Sequence, residues 1–438
     1  MQATKIDLLI HCKWIIPIVP ENQILENCSL AVDAEKIIGI YPRVEAEKRF
    51  EAAHVEHLDD HVVMPGLVNA HGHSAMTLLR GYADDYALRP WLEDHIWPAE
   101  ATHVSEEFVR DGTNIAMAEM IASGTTCFAD MYFFDEAIAE AVRSAGMRCQ
   151  IGFTVIDAPT AYGKDANDYI HKGLRLNDKY SGQSLIKVAC APHAPYSVSD
   201  DAMQVISTYA NELDMAIHIH CHETAGEVSE SLEQYGCRPL QRLCNLGLLL
   251  PQTQLVHMTQ IAPEDIKLVQ DHNCHVVHCP ESNLKLASGF CPVSELMDAG
   301  INVALGTDGA ASNNDLDLFS ELKTAALLAK GVANDPSALN AHAALRMATI
   351  NGAKALGWDD EIGSLEAGKS ADFIAVKMDS ISQQPLYNPE SQLVYTNVGH
   401  RVSHSWVAGK PLLADGELTT LNKHSLIQTA NEWRNKIL

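Results

Sequence analysis

Residues 62–70 form an apolar run that ends in His71-Gly72-His73. In a strand, residues two apart point to the same side, so two imidazoles at the end of one buried strand can converge on a point. That arrangement suits a transition-metal site. Taken alone the pair proves little in a chain with 21 histidines. Three later segments repeat the pattern of an apolar run closing on polar groups. Residues 215–223 carry His218, His220, His222 and Glu223; Leu255-Val256-His257 ends a second run; residues 302–309 close on Asp308 and a glycine. A metal enzyme on a β/α barrel draws its ligands from the C-terminal ends of several strands, far apart in sequence. Alternation puts His218, His220 and His222 on one strand face, so spacing does not choose among them.

The elements that must position these groups are legible as a rhythm. Apolar runs at 62–73, 124–131, 147–155, 186–194, 215–223, 254–260, 274–282 and 302–309 alternate with stretches of helical spacing, such as 106–123, 134–145 and 200–213. Gly124, Gly146 and Gly300 stand where a helix would stop before a strand. Eight strands with intervening helices is the count of a closed parallel barrel. Further helices are expected at 317–330 and 338–356. The two ends differ: 5–61 is rich in Ile and Val with turns near 20–22 and 34–36, and 364–416 returns to that style at 372–376 and 402–407. The expected fold is α/β, a (β/α)8 TIM-type barrel over 62–363. Beside it, residues 1–61 and 364–438 build one discontinuous β-sandwich, the second part ending in a helix.

Composition narrows the partners. A formal charge of −26 over 438 residues disfavours nucleic acid and anionic membrane. No apolar run approaches the ~18 residues of a membrane span, and the start lacks a secretory pattern, so a cytoplasmic location is expected. The eleven cysteines are odd in number and contain no Cys-x-x-Cys pair, which reads as reduced, largely buried thiols. The absence of Pro-Cys-x-x-Cys also removes the zinc deaminase scaffold that acts on cytidines and nucleic-acid bases.

The sequence resembles the amidohydrolase superfamily, and within it the methylthioadenosine/S-adenosylhomocysteine deaminases. The likeness is carried by residues 64–73, Ala191-Pro192-His193-Ala194-Pro195-Tyr196, His220-Cys221-His222-Glu223-Thr224, residues 278–285, Gly306-Thr307-Asp308-Gly309 and residues 363–372, and so covers nearly the whole chain. The resemblance implies one divalent metal held by His71, His73, His220 and Asp308, zinc before iron. His220 is preferred to its neighbours because the family spaces ligand and acid three apart. Binuclear relatives use a modified lysine at the end of strand four; here that strand ends in His193, and Lys187 lies too early.

In the reaction implied, Glu223 passes a proton from water to the purine N1, His257 orients the nucleophile, and Asp308 serves as ligand and base. Trp91 would wall the adenosine, Glu100 would accept from the ribose hydroxyls, and His193 would contact the nucleoside. Strand three ends on apolar residues, so Phe153 is expected to favour the methylthio group over a homocysteine carboxylate. Arg148 sits at that strand's start, on the wrong side, and Lys164 in the following loop is the substitute cation. The expected activity is hydrolysis of the 6-amino group of 5′-methylthioadenosine, extending to S-adenosylhomocysteine or adenosine. The alternatives are an aminohydrolase or chlorohydrolase acting on free purines, pterins or triazines, and a non-catalytic assembly protein, against which the intact ligand set argues. A homo-oligomer, dimer or tetramer, is expected from the family.

Overall fold

The computed structural model describes residues 3–438. Strand β1 (Thr4–Ile15) pairs antiparallel with β2 (Leu25–Asp33), which turns back into β3 (Lys36–Pro42). That turn uses left-handed Ala34 and Glu35, the twist that a two-residue hairpin needs, and Asp7 holds it by accepting the Ala34 N–H at 2.9 Å. Strand β4 (Phe50–Pro65) runs parallel to β1 on its other side. Its last residues, Val62 to Pro65, still belong to this sheet, so the first apolar run of the sequence divides between two structures.

The chain then crosses to the barrel. Gly66 passes so close to Thr126 that an added Cβ would lie 2.0 Å from its hydroxyl. Beyond it come β5 (Leu67–Asn69), β6 (Thr125–Tyr132), β7 (Arg148–Val155), β8 (Ile186–Pro192), β9 (Ile217–Cys221), β10 (Thr253–His257), β11 (His275–His278) and β12 (Asn302–Leu305). They stand in chain order in one parallel sheet. The Ala70 N–H donates to the Leu305 carbonyl at 2.8 Å and brings the two edges together. Here Gly306 is required, because a Cβ would sit 2.8–3.0 Å from His71. All eight expected runs are strands, and Gly124, Gly146 and Gly300 are each left-handed.

After the barrel, β13 (Phe373–Lys377), β14 (Val402–Val407), β15 (Lys410–Ala414) and β16 (Glu417–Leu418) extend the first sheet through an antiparallel pairing of β13 with β4. The sheet curls around a shared interior of Leu8, Ile10, Leu30, Val32, Val63, Phe373 and Trp406, with the last two rings stacked at 4.5 Å. Arg148 ties barrel to sheet: its guanidinium donates to Asp372 at 2.6 and 3.2 Å, and to Ser370 and the Ser184 carbonyl. The span expected as helix at 338–356 is two helices, Ala341–Met347 and Ile350–Ala355, broken at Thr349.

Candidate active site

The C-terminal ends of β5, β9, β10 and β12 bring five donors together. His71 Nε2 lies 3.4 Å from Asp308 Oδ1, and His73 Nε2 lies 3.2 Å from the same oxygen. His220 Nε2 is 3.1 Å from His71 Nε2. His71, His220 and His257 form one set whose donor atoms lie within 4.8 Å of one another, and His71, His73 and Asp308 form another. The other ring nitrogens are already engaged. His73 Nδ1 is 2.7 Å from the Met131 carbonyl, His220 Nδ1 is 2.8 Å from the His193 carbonyl, and His257 Nδ1 is 2.9 Å from Asn283 Oδ1. Such bonds fix each ring's orientation and leave Nε2 lone pairs facing a common space.

Local backbone makes this convergence possible. His222, His257 and Asp308 all have left-handed φ, of 54°, 76° and 62°. For residues other than glycine this conformation costs about 1–3 kcal/mol and persists only where neighbours hold it. Here Asp308 N–H donates to the His71 carbonyl, and Met258 N–H to the Cys221 carbonyl. The turn at His222 sends its ring away from the donors, where Nδ1 meets the Gln260 carbonyl and Nε2 accepts the Leu240 N–H. His218, two residues before His220, lies behind His71. Of the three histidines that share this strand face in sequence, His220 is the one that meets the His71 Nε2.

Charge suits a cation. Burial drives His71 down to about 4, so it is neutral. Burial opposes ionisation of Asp308, but His71 and His73 outweigh it and hold the carboxyl well below the usual range. Its oxygens also accept from Ser282, Ser312 and the Gly309 N–H, at 2.7, 3.1 and 2.8 Å. Burial pushes His73 down as well, yet contact with Asp308 lifts it to about 9. Once His73 releases its proton, neutral imidazoles around an ionised carboxylate are the ligand chemistry of a divalent transition metal, so these residues fit such an ion, whose binding would release that proton.

Glu223 lies beside this group, buried, with Oε2 3.7 Å from His257 Nε2. Burial raises its pKa above the ordinary carboxylate value, against the pull of His257. Glu227 holds the turn that carries it, accepting the His222 and Glu223 N–H groups at 2.9 and 2.7 Å. His193 stands next to His220, ring centroids 5.0 Å apart, with Nδ1 on Ser197.

The segment after β5 reaches across the barrel mouth on polar anchors. Asp84 meets Lys285 at 2.7 Å, Arg89 pairs with Glu230, and Glu100 accepts the Tyr132 hydroxyl at 2.6 Å. Trp91 is buried within it, its indole N–H without a protein partner among the described residues.

Phe153 is not at the site. Alternation along β7 turns Gly152 and Thr154 inward and Phe153 outward, where its ring fills the space beside Gly173 of the helix Ala166–Tyr180; a Cβ on that glycine would lie 2.1 Å from the ring. The expected role for Phe153 at the 5′ end is therefore withdrawn. His272 and His275 also lie away from the donors, against Cys244 and Asn302. Gln254, Asn283, Ser282, Ser312, Tyr132 and Glu227 were not assigned from sequence. Only Glu227 carried a readable signal, because Thr224 and Glu227 have capping-box spacing and the Thr224 hydroxyl accepts the Glu227 N–H.

Comparison with known proteins agrees with this architecture. Residues 62–412 match the profile of the amidohydrolase family. A 5-methylthioadenosine/S-adenosylhomocysteine deaminase of Teredinibacter turnerae is 53% identical over 435 residues, 99% of this chain and 98% of the relative. One of the same name from Saccharophagus degradans is 53% identical over 436 residues, 99% and 97% of the two chains. The crystal structure of an adenosine deaminase from Xanthomonas campestris with bound zinc superimposes with a TM-score of 0.99 at 47% identity, over 100% of this chain and 99% of that one. The chain belongs to the amidohydrolase family, in the branch of the 5-methylthioadenosine/S-adenosylhomocysteine deaminases.

Proposed function

We propose that the chain hydrolyses the 6-amino group of an adenine nucleoside, giving the inosine analogue and ammonia, with 5′-methylthioadenosine as its preferred substrate. It is a hydrolase acting on C–N bonds, and the names of relatives at 53% identity support nucleosides over free purines or triazines. The observation that carries the reading is the set of strand-end Nε2 atoms and Asp308 around one space, with Glu223 buried alongside.

In this reading His71, His73, His220 and Asp308 hold one zinc ion. Bound there, the metal supplies a water acidic enough, with a pKa of about 7, to serve as nucleophile at neutral pH. Glu223 takes a proton from the attacking water and delivers it to the purine N1, which makes C6 electrophilic. His257, donating from Nδ1 to Asn283, turns an accepting nitrogen to the attacking oxygen and orients it. Asp308 would pass the second proton of the attacking water to the C6 amino group, which leaves as ammonia. Glu100 accepts from the ribose hydroxyls, Trp91 walls the nucleoside, and His193 contacts it.

The preference for a methylthio group rests on charge. Arg80, Arg89, Lys172 and Lys285, from the segments around the mouth, are each paired with a carboxylate: Glu119, Glu93 and Glu230, Asp168, and Asp84; Lys164, the substitute cation, is exposed and meets Asp168 only through its backbone N–H. A homocysteine carboxylate gains most from a guanidinium free to bind it at two points. Phe133, Phe134 and Tyr162, which cluster next to the Tyr132–Glu100 pair, take the apolar 5′ role in place of Phe153. A dimer or tetramer and a cytoplasmic location complete the proposal; among the described residues no helix is long and apolar enough to cross a membrane. Ammonia release from 5′-methylthioadenosine by the zinc-loaded protein, lost in Glu223→Gln, tests the assignment.

A further inference from the structure

Behind His71 runs a line of buried groups that the proposed reaction does not touch. His71 Nδ1 is 2.7 Å from His218 Nε2, and His218 Nδ1 is 2.5 Å from Gln254 Oε1. Gln254 Nε2 then donates to the backbone carbonyl of Ala355 at 2.8 Å. His71, His218 and Gln254 are all buried, at 0%, 2% and 0% exposure. Ala355 lies in the segment that packs with Leu356 and Trp358 against the inward-facing Val68 and Val256 of the barrel. The line therefore joins the strand-end donors to the floor of the barrel.

Its proton order is determined from the far end. A backbone carbonyl only accepts. Gln254 must therefore turn its amide NH2 to Ala355 and its Oε1 to His218. His218 must then carry its proton on Nδ1, and its Nε2 accepts from His71. His71 is left with a proton on Nδ1 and a lone pair on Nε2, the atom that faces His220 and Asp308. The reverse order would set the Gln254 oxygen against the Ala355 carbonyl. It would also place a proton on His71 Nε2, where the metal should bind.

We propose that His218 and Gln254 are positioning residues that lock His71 in the tautomer competent to bind metal, with the Ala355 carbonyl as the reference that sets the direction. This rests on the reading of His71 as a zinc ligand. Neither residue touches the donor space itself, and neither is required by the fold's apolar pattern.

The test uses the full-length chain as wild type, Gln254→Leu, His218→Phe and His71→Ala. Zinc affinity is measured by competition with a chromophoric chelator, melting is followed on the metal-free proteins, and ring ¹⁵N spectra of histidine-labelled metal-free wild type report the tautomers. Removing a partner that orients a metal ligand weakens binding by about 10–100-fold. We expect a loss of that size in Gln254→Leu, two groups from the ligand, and Nδ1-protonated His71 and His218 in the wild-type spectrum. A folded Gln254→Leu that binds zinc as wild type does overturns the proposal, because a merely structural role would lower the metal-free melting point alone. So does a His218 protonated on Nε2, which needs no variant to fold. Zinc binding indifferent to His71→Ala defeats the ligand reading instead, and the spectrum still decides the proton order.

Discussion

The Tyr132 hydroxyl donates a 2.6 Å hydrogen bond to Glu100, joining the segment that crosses the barrel mouth to the end of β6. Burial raises the Glu100 carboxyl, and Tyr132 works in the opposite direction, towards the charged form. A charge-assisted bond of this kind contributes roughly 1.5–3 kcal/mol. Glu100→Gln should lower kcat/KM for nucleosides by about 10–100-fold, with most of the loss in KM. Tyr132→Phe should lower it less, because the carboxylate survives. Steady-state kinetics on 5′-methylthioadenosine checks both, and an unchanged KM in Glu100→Gln would remove Glu100 from the ribose site.

Glu223 and Glu227 should separate cleanly. Glu223→Gln removes the proposed proton carrier and should cost about 10²–10⁴ in kcat, the range of general acid–base catalysis. Glu227 meets only backbone N–H groups of His222 and Glu223, besides the Thr224 cap. Glu227→Ala should therefore lower the melting temperature and loosen the turn, reducing kcat by a smaller factor. Melting curves and single-turnover rates distinguish the two.

Arg148 and Asp372 form a buried ion pair, both almost inaccessible, between the barrel and the terminal sheet. Removing one member of such a pair strands a charge and costs about 3–5 kcal/mol. Arg148→Met should shift urea unfolding to markedly lower concentration while the folded fraction keeps its kcat/KM. A change in substrate preference instead would show that Arg148 reaches the site after all.

A pH effect on stability should come from Asp135. Burial pushes its carboxyl up to about 7, and Tyr162, which donates to it at 3.2 Å, only partly opposes this. The folded state thus binds a proton that the unfolded chain, with an ordinary pKa of about 3.9, releases. Between roughly pH 4 and 7 the folded state holds more protons than the unfolded one, so this group costs stability as pH rises through that window. Asp135→Asn should melt close to wild type near pH 4 and above it at pH 8. Equal pH dependence in both proteins would contradict the assignment.

Much of the barrel was legible because its strands are short apolar runs punctuated by glycines, and each run of the sequence became a strand. The start of the first run misled: Val62 to Pro65 are as apolar as Leu67 to Asn69, but they pair with β13 in the terminal sheet. Apolarity does not say which of two sheets buries a residue. Phe153 was placed at the strand end correctly and on the wrong face, although Arg148, Gln150 and Thr154 alternate with Cys149, Ile151, Phe153 and Val155 and so already set Phe153 opposite the polar face. Spacing alone did not choose among His218, His220 and His222; the resemblance selected His220, and the left-handed turn that takes His222 off the strand face is announced by nothing in the local sequence. Gln254 and Asn283 were invisible for a different reason: their partners lie at Ala355 and His257, 101 and 26 residues away.

The central claim is that a metal-dependent site takes an adenine nucleoside with an apolar 5′ group. The most direct measurement is kcat/KM of the zinc-loaded protein for adenosine, 5′-methylthioadenosine and S-adenosylhomocysteine side by side, followed by the fall in adenine absorbance. The account predicts turnover abolished by a chelator, restored by zinc, and highest for 5′-methylthioadenosine. Equal or faster turnover of S-adenosylhomocysteine would contradict the apolar 5′ wall, and no turnover of any nucleoside would contradict the assignment of the site itself.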